Sequence, residues 1–291
     1  MGTIKTVGVV GAGTMGHGIA QVLVKNGIPT RLADVSDAIL ARAADKISKG
    51  LGRDVEKGRM TAEEKDKALG RLKTTTDLAA LVDADLVIEA VLEKFEVKAE
   101  VFRALEAGAL GKRPEVIFAS NTSAISITRL ATQTKRPPRF VGLHFFNPVP
   151  VMTLVEVVAG LETSPETVET VVALATQLGK TPVRAQDFPG FVSNRVLMPM
   201  INEAIFALME DVADAEGIDD VMRLGMRHPM GPLELADFIG LDVCLDIMKV
   251  LCEGFHDSKY RPCPLLERMV AAGRLGRKSG RGFYDYSAAK V

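Results

Sequence analysis

The run Val7-Gly8-Val9-Val10-Gly11-Ala12-Gly13-Thr14-Met15-Gly16 leaves this chain little choice of fold. An apolar stretch the length of one strand enters a glycine-rich turn and then a helical pattern that opens near Met15. In such a unit Gly11 permits the tight turn, Gly13 lets the backbone approach a pyrophosphate, and Gly16 lets helix and strand pack closely. Ala12, Thr14 and Met15 complete the turn. The helix start carries free N–H groups and the positive end of the dipole, which suits a diphosphate. Asp34 stands eighteen residues beyond Gly16, after Thr30-Arg31-Leu32-Ala33, where a carboxylate can accept both ribose hydroxyls. The same carboxylate repels a 2′-phosphate, and neither Val35 nor Ser36 offers a guanidinium to bind one. The expected cofactor is NAD rather than NADP.

The 291 residues suffice for two domains, each with its own core. A net charge of −1 gives no global pull toward nucleic acid or a membrane. No apolar run approaches the roughly 18 residues that cross a bilayer. Cys244, Cys252 and Cys263 lack metal-type spacing and read as free thiols in a reducing compartment. A strand begins within about four residues of the start, too soon for a leader. A cytoplasmic protein is expected.

From residue 4 to about 186, β-rich runs alternate with helical patterns. The expected strands are Thr6–Val10, Pro29–Ala33, Leu86–Glu89, Val116–Ala119, Arg139–His144, Leu154–Val158 and Thr181–Val183, with helices such as 15–26 and 98–109 between them. That rhythm predicts an α/β fold, a Rossmann-like, mostly parallel sheet with helices on both faces. Beyond Asp187-Phe188-Pro189-Gly190 only helical patterns remain, so a domain of residues 1–188 and an all-helical one of 189–291 are expected. Pro199 predicts a kink or an irregular turn in the first long helix after the boundary. Two helical segments over about 37–72 form an insertion. Residues 42–73 hold ten basic and six acidic side chains, a balance of +4. They read either as solvated amphipathic helices or as a local attractor for a polyanionic ligand.

Beyond the strand ends, where such a sheet binds its ligands, lie Ala119-Ser120-Asn121-Thr122-Ser123-Ala124 and Val141-Gly142-Leu143-His144-Phe145-Phe146-Asn147-Pro148. The hydroxyls and amide of the first segment serve either a site or simple helix capping. Leu154-Val155-Glu156-Val157-Val158 is apolar except at its centre, and a carboxylate there is costly unless paired. His144, just across Pro148-Val149-Pro150, is the natural partner. The pair reads either as a buried ion pair or as a base whose tautomer is fixed and whose cation is stabilised by Glu156. Oxidation of a secondary alcohol with NAD asks the protein to position the reactants and take a proton, which such a histidine can do.

Together these segments resemble the L-3-hydroxyacyl-CoA dehydrogenase family, in particular its short bacterial members that act on 3-hydroxybutyryl-CoA. The resemblance runs from Gly11–Gly16 through Ile88-Glu89-Ala90-Val91-Leu92-Glu93, Ser120–Ser123, His144–Pro150 and Leu154–Val157. It continues over Pro189–Arg195, His228–Pro232 and Lys278-Ser279-Gly280-Arg281-Gly282-Phe283-Tyr284. It implies reversible oxidation of an (S)-3-hydroxyacyl-CoA to the 3-ketoacyl-CoA, with His144 as general base and Glu156 as its partner. Ser123 and Asn194 resemble polar contacts to substrate and catalytic centre. Asp34 would hold the adenosine ribose, while Ala90, Glu93, Lys98, Asn121, Asn147 and Lys278 resemble residues around the cofactor. Lys57 matches a basic residue that meets the CoA phosphates. Ala124 departs from the family pattern, which has a second serine there. A homodimer formed through the helical domain is implied as well. Dehydrogenases of sugar acids such as L-gulonate share much of the histidine motif and stand as the alternative.

Overall fold

The computed structural model describes residues 4–287, and the chain divides into two compact units, Met1–Phe188 and Pro189–Val291. The first is built on eight strands: β1 (Val7–Val10), β2 (Thr30–Ala33), β3 (Leu72–Thr75), β4 (Leu86–Glu89), β5 (Ile117–Ser120), β6 (Phe140–Phe145), β7 (Leu154–Ala159) and β8 (Thr181–Gln186). Their order is β3-β2-β1-β4-β5-β6-β7-β8. Strands β3 to β6 are parallel, β7 runs antiparallel to β6, and β8 is parallel to β7. The chain leaves β1 toward β2 and later returns to β1's other side as β4. A crevice for ligands opens where the order reverses, between β1 and β4.

Strands β1, β4, β5 and β6 are buried along their whole length, as continuous apolar runs require when helices cover both faces. Strand β3 is different. The helical insertion expected over about 37–72 stops short of Leu72, and Leu72–Thr75 pairs with β2 as an edge strand. Its Leu-Lys-Thr-Thr sequence is half exposed and gives little periodicity to detect. Strand β8, at the opposite edge, extends to Gln186, and Pro182 is tolerated there because an edge strand has one unpaired side.

Helices α1 (Thr14–Lys25), α2 (Asp37–Glu56), α3 (Ala62–Gly70), α4 (Phe95–Ala107), α5 (Ile127–Ala131) and α6 (Pro165–Gln177) complete this unit. The insertion is the pair α2 and α3. A capping box starts α3: Thr61 Oγ accepts from Glu64 N–H, and Glu64 accepts from Thr61 N–H. The core holds Val9, Ile19, Leu23, Leu32, Ile88, Val141 and Val157 between sheet and helices.

The second unit is helical: α7 (Ser193–Met209), α8 (Ala215–Asp220), α9 (Pro232–Ile239), α10 (Leu241–Phe255) and α11 (Pro264–Ala271). Helix α7 continues through Pro199 with no irregular turn. The irregularity falls instead on Val221–Gly225, a single π-helical turn after α8. Met198, Ile205, Leu241, Leu251 and Leu266 form this unit's core. Two buried aspartates staple its end in place. Asp219 accepts from Leu233 and Glu234 N–H (2.8 and 2.9 Å), capping α9, and from Tyr284 Oη (2.7 Å). Asp237 accepts from Phe283 and Tyr284 N–H, both at 3.0 Å. A Cβ on Gly282 would fall 1.9 Å from Asp237 Oδ1, so the Gly282-Phe283-Tyr284 sequence is the close fit this staple requires.

Candidate active site

The glycine turn leaves β1 at the switch point. Gly11 has φ +99°, and a Cβ there would lie 2.6 Å from the Ala90 carbonyl oxygen, so backbone geometry and space both demand glycine. A Cβ on Gly16 would lie 1.7 Å from the Gly11 carbonyl oxygen; α1 can approach the turn this closely only with hydrogen there. Gly13 is exposed, and its Cβ would meet nothing within 4 Å. The protein's own packing does not need a glycine at this point, whereas a bound group seated on the turn would. Helix α1 starts with no side-chain cap and no acidic residue in its first turn, leaving its N–H groups and dipole uncompensated. These features fit a dinucleotide diphosphate.

Asp34 follows β2, and its Oδ2 accepts from Ala12 N–H at 2.7 Å, tying the acid to the turn. Val35 beside it is 93% exposed. Ala90, just past β4, donates its N–H to the Val10 carbonyl at 2.7 Å.

Beyond β4 and β5 the polar groups form one connected cluster. Glu89 is fully buried and accepts from Lys98 Nζ (2.8 Å), Ser120 Oγ (2.6 Å) and Val91 N–H (2.7 Å). Burial pushes its carboxyl above the usual range, and Lys98 opposes that shift. Lys98, 1% exposed, also reaches Glu93 at 3.1 Å. Glu93 in turn accepts from Thr122 Oγ, from Ser123 N–H (2.8 Å) and from Ala124 N–H (3.2 Å). Lys98 thus bridges two carboxylates and fixes the loop that carries Ser123. Asn121 is buried and accepts from Phe145 N–H at 2.9 Å, joining the ends of β5 and β6.

His144 and Glu156 face each other across the antiparallel pair β6–β7, in direct register. Glu156 is 1% and His144 6% exposed, and Nδ1 lies 2.8 Å from Oε2. The Phe146 ring packs 4.6 Å from the imidazole, centroid to centroid. Nδ1 is thus the ring nitrogen that meets the carboxylate. Asn147, two residues beyond β6, is exposed.

Three of the expected residues stand on other elements. Lys57 is exposed at the C-terminal cap of α2. Asn194 is buried near the start of α7, and Lys278 pairs with Asp242 at 2.6 Å, both within the helical unit. Glu89 is not among the expected site residues, although an acid closing the apolar run Leu86-Val87-Ile88 carries the same signal as Glu156.

The doubly wound sheet and its glycine turn define a dinucleotide-binding protein of the Rossmann class. Residues 6–188 match the 3-hydroxyacyl-CoA dehydrogenase NAD binding domain, and residues 190–286 match the 3-hydroxyacyl-CoA dehydrogenase C-terminal domain. The chain belongs to the 3-hydroxyacyl-CoA dehydrogenase family, and its cofactor is NAD. It is 56% identical over 279 residues to a Deinococcus radiodurans protein named "Probable 3-hydroxybutyryl-CoA dehydrogenase", covering 96% of this chain and 99% of that one. It is 54% identical over 287 residues to the 3-hydroxybutyryl-CoA dehydrogenase of Bradyrhizobium diazoefficiens, covering 99% and 97%. The crystal structure of (S)-3-hydroxybutyryl-CoA dehydrogenase from Ralstonia eutropha superimposes with a TM-score of 0.94 at 49% identity, covering 98% of this chain and 99% of that one.

Proposed function

We propose that the protein catalyses the reversible, NAD-dependent oxidation of (S)-3-hydroxybutyryl-CoA to acetoacetyl-CoA, with His144 as general base and Glu156 as its fixed partner. The observation that carries this reading is the buried 2.8 Å contact between the two, on the sheet that bears the dinucleotide turn. NAD, when bound, supplies the acceptor for the substrate's hydride. The protein's part is to orient the hydroxyl and remove its proton. Glu156 holds the imidazole in the tautomer that presents Nε2 as acceptor, and stabilises the imidazolium as it forms. In the direction of reduction the imidazolium returns its proton to the oxygen.

The other assignments follow the same logic. Asp34 offers its remaining oxygen to the ribose. The Gly11–Gly16 turn takes the diphosphate, with Ala90, Glu93, Asn147 and Lys278 as further cofactor contacts. Lys98 and Asn121, buried and engaged, act at one remove by holding Glu93 and the ends of β5 and β6. Ser123 and Asn194 are assigned to the substrate. Lys57 is assigned to the CoA phosphates, as the part of the basic insertion suited to a polyanion.

We further assign residues 1–188 to the cofactor and 189–291 to the substrate and to a homodimer contact, because exposed apolar side chains recur in that unit (Val196 67%, Leu224 78%, Phe238 57%). A cytoplasmic location is proposed from the three free cysteines; among the described residues, no helix is long and apolar enough to cross a membrane.

Turnover of acetoacetyl-CoA with NADH, set against oxidation of L-gulonate with NAD, tests the substrate. Preference for L-gulonate overturns the assignment. His144→Gln should lower kcat by about 10²- to 10⁴-fold with NADH affinity unchanged, as for loss of a general base. Near-normal turnover removes His144 from the chemistry.

A further inference from the structure

The segment between β6 and β7 joins His144 to Glu156 along the chain and carries Asn147. Of residues 147–153 only Val149 is buried. A loop so exposed takes little of its position from burial of its own side chains. Two contacts fix it from beneath. The Val149 side chain seats on α1, where a Cβ on Gly18 would lie 3.0 Å from Val149 Cβ. The second contact is Lys180, whose Nζ donates to the carbonyls of Val149 (2.6 Å) and Met152 (2.7 Å).

The path of the chain explains how Lys180 comes to be there. Helix α6 ends at Gln177, and Gly179 turns the backbone with φ +70°. Lys180 N–H then closes onto the Ala175 carbonyl at 2.9 Å, and Thr181 N–H donates to the Thr153 carbonyl at 2.7 Å as β8 begins. Lys180 is 9% exposed, and among the described residues no carboxylate lies within ion-pair distance of it. Burying an ammonium without a counter-ion is unfavourable, and methionine would fill the same space without that penalty. What only the lysine brings is a donor for two carbonyls of this loop.

We propose that Lys180 is a positioning residue for the dehydrogenase reaction: through the Val149 and Met152 carbonyls it sets Asn147 and the His144 end of β6 against cofactor helix α1. This rests on the roles given to His144, Glu156 and Asn147 above. The test compares Lys180→Met, which keeps length and removes the donors, with Lys180→Gln and Lys180→Arg, which keep donors on stems of other lengths. Three quantities are read: the NADH dissociation constant by fluorescence without acyl-CoA, kcat per titrated active site, and KM for acetoacetyl-CoA.

In K180M the NADH dissociation constant should rise about tenfold and kcat per site should fall about tenfold or more, as for displaced catalytic groups. KM for acetoacetyl-CoA should stay within about twofold of wild type, since ground-state acyl-CoA binding is not the property disturbed. K180R should recover most of both losses and K180Q part of them. A purely structural role would lower the melting temperature and the active fraction while leaving kcat per site and NADH affinity at wild-type values in all three variants, and that result overturns the proposal. Should K180M fail to fold, the same readings on K180Q and K180R decide it. A wild-type protein inactive on acetoacetyl-CoA would instead overturn the reaction assigned above, and NADH affinity would still report on Lys180.

Discussion

Glu156→Gln separates the chemistry of the buried pair from its contribution to stability. The carboxamide has nearly the shape of the carboxylate, and its oxygen can still accept from His144 Nδ1–H at the 2.8 Å position. What disappears is the charge. A hydrogen bond to a charged group contributes about 1.5–3 kcal/mol, and it reaches full strength only once the imidazole carries the substrate's proton. The loss therefore falls on the transition state, and at about 1.4 kcal/mol per decade kcat should drop about 10- to 150-fold. KM and NADH affinity should barely move. Stability should not fall, because a carboxylate 1% exposed gives way to a neutral group of the same volume. NADH absorbance gives kcat, and calorimetry on the same preparation gives the melting temperature. A kcat within about twofold of wild type would refute the reasoning, as it would leave less than 0.5 kcal/mol, roughly, for the charge. Equal losses of activity and stability would refute it too, since the pair would then be an ordinary fold contact.

Other outcomes follow from the same geometry. Gly13→Ala should leave the melting temperature unchanged and weaken NADH binding, whereas Gly16→Ala, whose Cβ would fall 1.7 Å from the Gly11 carbonyl oxygen, should lower both; thermal melts and NADH titration check this. Lys57→Glu should raise KM for acetoacetyl-CoA more than it lowers kcat, and the effect should shrink with added salt. Burial, aided by Lys25, holds the Lys180 ammonium below its ordinary value of 10.5. Between that lowered value and 10.5 the unfolded chain binds more protons than the folded one, so stability rises with pH across the window. Urea titrations from about pH 8 to about pH 10 should therefore show the stability of wild type relative to K180M increasing; a constant difference would contradict the shift.

The legible parts of this molecule were those in which one residue type has few physical uses. Gly11 and Gly16 occupy positions where a side chain collides with backbone, and an acid at the centre of Leu154–Val158 demands a partner. Strand β3 was not legible, because Leu72-Lys73-Thr74-Thr75 at a sheet edge needs neither alternation nor a continuous apolar run. Lys180 was invisible for another reason. Its partners are backbone carbonyls, which leave no mark in the sequence, and a lysine after Leu178-Gly179 reads as ordinary surface. The Glu89–Lys98–Glu93 bridge falls between. Glu89 announces itself by its apolar neighbours, but the eight residues between it and Lys98 show no pairing until α4 brings Lys98 to the end of β4.

The reversal of β7 against β6 gives the His144–Glu156 pair an odd–even character. Opposite partners in an antiparallel ladder share a face, so Glu156 meets His144 only while the alternation of β7 is preserved. Lengthening the exposed 150–153 stretch leaves that parity alone. A one-residue slip of β7 against β6 would send the carboxylate to the other side of the sheet with every amino acid of the site still present. Designers who graft loops onto this hairpin must count its rungs and keep the two carbonyls that Lys180 holds.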